Sequence, residues 1–118
     1  MAHAQRPTAS QLHLRVCTSA GEALPAEIGH KWQAEYGVEI LDGIGSTEML
    51  HIFISADEAH AKPGATGMPV PGYQACVLND EGVPLPTGQV GRLAVKGPTG
   101  CRYLADDRQR QYVQQGWN

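Results

Sequence analysis

The chain of 118 residues has the length of one ordinary domain, enough to bury about two thirds of its unfolded surface. With 42% hydrophobic residues, 18% charged residues and a net charge of -3, it fits neither a disordered segment nor a membrane-embedded chain, and it offers no basic face to nucleic acid. Cys17, Cys76 and Cys101 stand far apart with no CxxC pair, so they signal neither a zinc site nor a disulfide framework, and three reduced thiols are expected. The opening MAHAQRPTAS lacks the apolar core of a secretory signal, and no run approaches the ~18 apolar residues of a membrane span. The cytoplasm is the expected compartment.

Residues 1–11 read as a disordered or non-native leader. Leu12, Leu14 and Val16 then alternate with His13, Arg15 and Cys17, the period of a strand that should end where Thr18-Ser19-Ala20-Gly21 begins a turn. A helix follows: Pro25 suits its first turn, Ile28, Trp32 and Tyr36 recur on one face, Glu27 and Lys31 form an i,i+4 pair, and Gly37 is placed to close it. Trp32 and Tyr36 are expected in the core. Val38-Glu39-Ile40-Leu41 reads as a second strand, giving a βαβ segment over 12–55 whose strands run parallel. Residues 56–66 read as a linker, and Gly67-Met68-Pro69-Val70-Pro71-Gly72-Tyr73 as a proline-fixed connector. It opens a small antiparallel β subdomain over 67–118, with strands at Tyr73 to Leu78 and Val90 to Val95 around the turn Asn79-Asp80-Glu81-Gly82. A polar helix from Asp106 to Gln115, stopped by Gly116, ends the reading.

Ligands of open α/β sheets sit beyond the carboxyl ends of the strands. Those ends carry Ser19-Ala20-Gly21-Glu22 and Asp42-Gly43-Ile44-Gly45-Ser46-Thr47-Glu48, which could converge on one crevice. Gly43 and Gly45 permit the close backbone approach that a phosphate needs. The segment has no Walker lysine, however, and Glu48 stands where a dinucleotide fingerprint wants a third glycine. Ser46 or Thr47 capping a short helix from Glu48 accounts for the same residues, and so does a hydroxyl and carboxylate serving a magnesium nucleotide. Spacing alone leaves both readings open. His51 reads equally as a packed or an exposed histidine, and Gly21 and Gly45 as tight-turn residues.

Four motifs occur in order: Ser19-Ala20-Gly21-Glu22-Ala23-Leu24-Pro25, then Asp42 to Met49, then Gly67 to Tyr73, then Gly88-Gln89-Val90-Gly91-Arg92-Leu93-Ala94-Val95-Lys96-Gly97. Together they resemble the adenylate-forming acyl-CoA synthetase superfamily, over nearly everything after Leu12. Ile44, the run Met49-Leu50-His51-Ile52-Phe53 and the run Gly97 to Leu104 look most like aryl-CoA ligases of the benzoate and 2-aminobenzoate kind. The resemblance implies an α/β fold, part of the amino-terminal domain of such a ligase. The implied reaction joins a carboxylic acid to ATP and then passes the acyl group from AMP to coenzyme A.

The resemblance implies that Gly21, Glu22 and Ala23 line the adenine site, with Asp42, Gly43 and Ile44 on its other side. Thr47 would contact the α-phosphate and Glu48 would help to hold Mg2+, the two catalytic positions. Ala20, Gly43, Gly45, Ser46 and His51 would border the pocket for an aromatic acid. The superfamily's lysine-containing phosphate loop is expected upstream of Leu12, and its Thr-Gly-Asp motif and lid domain beyond Asn118. The chain alone is therefore expected to be inactive, to contribute only part of the site, and to self-associate through exposed sheet edges. A non-catalytic nucleotide-binding module and an inert remnant of such a ligase are the alternatives.

Overall fold

The computed structural model describes residues 7–62, 64–104, 107–114 and 116–118. Its strands are β1 (Cys17–Ala20), β2 (Ile40–Gly45), β3 (Ile52–Ser55), β4 (Met68–Pro69), β5 (Gln74–Leu78) and β6 (Arg92–Lys96). Its α-helices are α1 (Ala26–Tyr36) and α2 (Gln109–Tyr112), and a short 3-10 turn lies at Ala9–Gln11. β1-β2-β3-β4 form one sheet in that order, and β5-β6 form a second, antiparallel one. The fold is α/β, with a mixed sheet and a small antiparallel sheet.

The chain divides into two compact units, Met1–Ile44 with Ile54–Met68, and Gly45–Phe53 with Pro69–Asn118. In the first, β1 pairs in parallel with β2, Cys17 opposite Ile40 and Ala20 opposite Gly43. The helix between them starts where the carbonyl of Pro25 accepts the N–H groups of Ile28 and Gly29. It stops at Gly37, whose left-handed φ of 71° lets its N–H reach the carbonyl of Gln33 at 2.8 Å.

Several expectations are corrected here. Leu12 to Val16 do not form the first strand: Leu14 and Val16 are exposed, and the ladder begins only at Cys17, where β2 offers a partner. Thr18 to Ala20 are strand rather than turn. The second strand runs on through Gly45, so Asp42 to Gly45 are paired backbone instead of loop. No helix starts at Glu48; Ser46 to Leu50 make a turn, and β3 follows it. The connector contains the two-residue strand β4. Trp32 and Tyr36 pack on each other at 4.4 Å but are only half-buried, and Ile28 is 54% exposed, because α1 buries none of its side chains fully. The last helix is the single turn α2; Asp106 and Gln115 lie outside the described residues.

The second unit holds most of the buried apolar side chains: Met49, Phe53, Tyr73, Leu78, Ala94 and Val95. The hairpin pairs Leu78 with Arg92 and Gln74 with Lys96. The turn after β5 folds the chain back so that Leu85 N–H reaches the Val77 carbonyl; it is fixed by Asn79, whose side-chain oxygen accepts the N–H of Val83 at 2.7 Å, while Gly82 takes a φ of 78°. Val95 and Asn118 exchange both backbone hydrogen bonds at 2.9 Å, and the Lys96 ammonium lies 4.3 Å from the Trp117 ring centre.

Two glycines separate conformation from space. A methyl group at Gly37 would meet open space, so Gly37→Ala should cost only left-handed strain, about 1 kcal/mol. At Gly97 it would overlap the Tyr73 ring, so Gly97→Ala should cost about 2 kcal/mol or more. Urea unfolding of both variants checks the order; a Gly97→Ala chain as stable as the parent contradicts the packing described.

Candidate functional site

In the first unit the ladder sets Ser19 opposite Asp42 and Ala20 opposite Gly43, at the carboxyl end of β1 and the middle of β2. Alternation along β2 buries Leu41 and Gly43 and leaves Ile40 and Asp42 on the other face. That face borders a cleft of about 280 Å3 lined by Ala23, Leu24, His30, Ile40, Asp42 and Lys62 among others. Ala23 and Asp42 line this cleft, whereas none of Ser19 to Glu22 and none of Gly43 to Glu48 does. Ala20, Gly21, Glu22, Gly43 and Ile44 are not among its lining residues; Gly21 turns the chain after β1 with a φ of 98°.

Asp42 carries an unusual feature for a carboxylate. Its backbone carbonyl accepts the Ser55 hydroxyl at 2.9 Å, but its side-chain Oδ1 is buried with no hydrogen-bond partner. An unsatisfied buried acceptor costs on the order of 1–3 kcal/mol, more when charged, so this atom is short of one donor.

In the second unit, Gly45 to His51 form a tight reversal. A methyl group at Gly45 would sit 2.7 Å from the His51 carbonyl oxygen, so only glycine allows the two backbones this close. Ser46 Oγ accepts the N–H of Met49 at 3.1 Å, and the carbonyl of Thr47 accepts the N–H of Leu50 at 3.2 Å. Leu50 takes a left-handed φ of 70°, the only such residue besides glycine among the described ones. Thr47 is exposed at the tip, and Met49 is buried beneath it.

Glu48 is held from a distance of 55 residues in sequence: the Tyr103 hydroxyl donates to Glu48 Oε1 at 2.9 Å. Hydrogen bonds from its own backbone N–H, from Tyr103 and from Ser46 hold the Glu48 carboxyl below its ordinary value, against the opposing effect of burial. Burial, and then the bond to Glu48, push the Tyr103 phenol well above its ordinary value. Tyr103 is itself braced by the Tyr112 ring at 5.2 Å and the Arg108 guanidinium at 5.2 Å, and its N–H donates to Gln109 Oε1 at 2.6 Å. His51 Nε2 shares a hydrogen bond of 2.8 Å with the Tyr73 hydroxyl. Tyr73, Thr99 and Tyr103 were not expected as site residues; Tyr103 falls in the run Gly97 to Leu104, which carried resemblance but no role.

With the geometry described, comparison with known proteins identifies the class. The AMP-binding enzyme family matches residues 1–103, and the chain belongs to it. It is 49% identical over 102 residues to the benzoate–CoA ligase of Thauera aromatica, covering 86% of this chain and 19% of that protein. It is 36% identical over 117 residues to the anthranilate–CoA ligase of Pseudomonas aeruginosa, covering 95% of this chain and 22% of that one. Among solved structures, a benzoate CoA ligase from Burkholderia xenovorans LB400 superposes with a TM-score of 0.84 at 45% identity, over 94% of this chain and 23% of the other. The anthranilate CoA ligase AuaEII, in complex with anthranoyl-AMP, gives 0.81 at 41% identity, over 87% and 20%. The chain spans about a fifth of the length of these relatives. None of the described helices is long and apolar enough to cross a membrane.

The Tyr103 bond has a measurable sign. Because Glu48 is depressed from an ordinary 4.5, its contribution is present above that pH and is lost as pH falls through the folded-state value. Tyr103→Phe should move the Glu48 midpoint upward in a carboxyl NMR titration. An unchanged midpoint contradicts the bond.

Proposed function

We propose that this chain is part of an ATP-dependent, AMP-forming ligase of aromatic carboxylic acids and coenzyme A, and that it supplies adenylate and acyl-pocket residues. Benzoate and 2-aminobenzoate are the acids the similarities favour. The observation that carries the reading is Asp42 Oδ1, a buried acceptor without a donor in the middle of β2, on a cleft shared with Ala23.

An adenine ring offers the missing donor in its exocyclic amine. Gly21, Glu22 and Ala23 would flank the ring on one side and Asp42, Gly43 and Ile44 on the other. The turn of the second unit suits the triphosphate end. Thr47 presents its hydroxyl from an exposed tip, where it would donate to an α-phosphate oxygen. Glu48 would hold Mg2+. Among the described residues no three His, Cys, Asp or Glu side chains cluster as a metal cage, and a single carboxylate fits Mg2+, which binds through one or two carboxylates with phosphate and water. When bound, the ion would supply positive charge to the phosphate oxygens. The Tyr103 bond keeps the carboxylate ionised and oriented for it, which costs no reorganisation at the moment of reaction.

The acyl pocket would be bordered by Ala20, Gly43, Gly45, Ser46 and His51, in which glycine and alanine leave room for a flat ring. The compartment proposed is the cytoplasm, where ATP and coenzyme A are available. The sheet edges are the surfaces through which the chain would self-associate.

AMP titrated into the labelled chain should shift the amide signals of Gly21 to Ala23 and Asp42 to Ile44. Asp42→Ala should weaken AMP on the order of tenfold, the loss of one charge-assisted hydrogen bond. Absence of any shift at millimolar AMP, or equal affinity of the variant, contradicts the assignment.

A further inference from the structure

The outer edge of a sheet presents backbone N–H and C=O groups to any further strand, and folds guard it with short strands, proline, charge or a covering segment. Among the described residues four strands have an outer edge, and three are guarded. β4 has two residues, and its Pro69 has no N–H to offer. β5 is covered at its carboxyl end, where Leu85 N–H donates to the Val77 carbonyl at 2.7 Å and Asn79 N–H to the Val83 carbonyl at 2.9 Å. β6 is covered at Val95, which exchanges both backbone hydrogen bonds with Asn118.

β1 has none of these guards. It stands at the end of the order β1-β2-β3-β4, and its residues Cys17-Thr18-Ser19-Ala20 include no proline and no charge. Among the described residues its backbone pairs with β2 and with nothing on the other side. Apolar surface leads into it, with Leu14 41% exposed and Val16 51%. We propose that the β1 edge binds a second copy of itself, antiparallel, across a two-fold axis. This rests on the reading that the chain self-associates through its sheet edges, and it names the edge and the partner.

Symmetry and charge select that occupant. With the other edges short or covered, β1 meets its match in the β1 of another copy, and a two-fold axis normal to the sheet makes the two strands antiparallel. Arg15 precedes the strand and Glu22 follows it; both are exposed, and neither enters an ion pair or a side-chain hydrogen bond among the described residues. Arg15 falls opposite Gly21 of the second copy when Thr18 lies on the axis, and opposite Ala23 when Ser19 does. Glu22 of the second copy is beside it in either register, and the contact occurs twice, once at each end of the paired strands. A parallel arrangement would instead set Arg15 against Arg15 and Glu22 against Glu22. The four residues between them are small and uncharged, so nothing in the middle resists the approach. Four residues a side make a small interface, in the range of weak, transient association.

The test is sedimentation velocity of the whole chain over a concentration series, with reductant present so that Cys17 forms no disulfide across the axis. The parent should show a monomer–dimer equilibrium that weakens with added salt. Arg15→Glu and Glu22→Arg should each weaken it on the order of tenfold, and the double variant should restore it, because it exchanges the two charges and keeps them complementary. Both side chains are exposed, so circular dichroism should report the parent fold in all three variants. A dimer that the single variants leave unchanged, or that the double variant does not restore, overturns the β1 pairing while self-association through another surface stands. A parent that stays monomeric at millimolar concentration overturns both.

Discussion

A parallel ladder of four residue pairs, Cys17 to Ala20 against Ile40 to Gly43, decides which side chains the first unit turns toward its cleft. Side chains alternate along a strand, so the register that buries Leu41 and Gly43 also turns Ile40 and Asp42 toward the cleft. A slip by one residue would bury the Asp42 carboxylate among apolar neighbours and aim Leu41 at the opening. Oδ1 already lacks a partner, and burying the rest of the carboxylate as well would cost far more than exposing a leucine. The hydrophobic pattern and the placement of the carboxylate therefore enforce the same register. The ladder also explains why Gly21 follows it directly: the chain must leave the strand through a positive φ before α1 can begin.

The second unit is organised around Tyr73 in a comparable way. Its ring fills the space that Gly97 leaves, and its hydroxyl joins the Gly45–His51 reversal to the segment after β6. Tyr103 makes the second such tie, to Glu48. Both ties run from residues late in the chain to a short turn in its middle. A turn with a left-handed Leu50 and exposed Thr47 has little packing of its own beyond Met49, so its shape is set by these side-chain bonds. Strain of this sort is tolerated where the surroundings over-determine it.

How much of this was legible in the sequence depended on the range of the interaction. Helix α1 could be read from Pro25 at one end and Gly37 at the other, because capping is local. The turn after β5 could be read from Asn79-Asp80-Glu81-Gly82 for the same reason, although it folds the chain onto Val83 to Leu85 and not onto β6. The alternation over Leu12 to Val16 misled, since a strand exists only where a partner ladder does. Asp42 to Gly45 were hidden as a strand by two glycines, which weaken strand propensity but suit a place where another backbone approaches closely, as the His51 carbonyl does at Gly45. The motifs located the segment around Glu48, but nothing local could announce that Tyr103 braces it or that Tyr73 and Thr99 hold His51. Those partners are 22 to 55 residues apart and meet only after the fold has formed.

The central claim is that the bare Asp42 oxygen awaits the exocyclic amine of adenine. Comparing AMP with inosine monophosphate, which carries a carbonyl oxygen in place of that amine, tests it most directly. The account predicts clear preference for AMP in the parent chain and its disappearance in Asp42→Ala. Equal binding of the two nucleotides to the parent would contradict it.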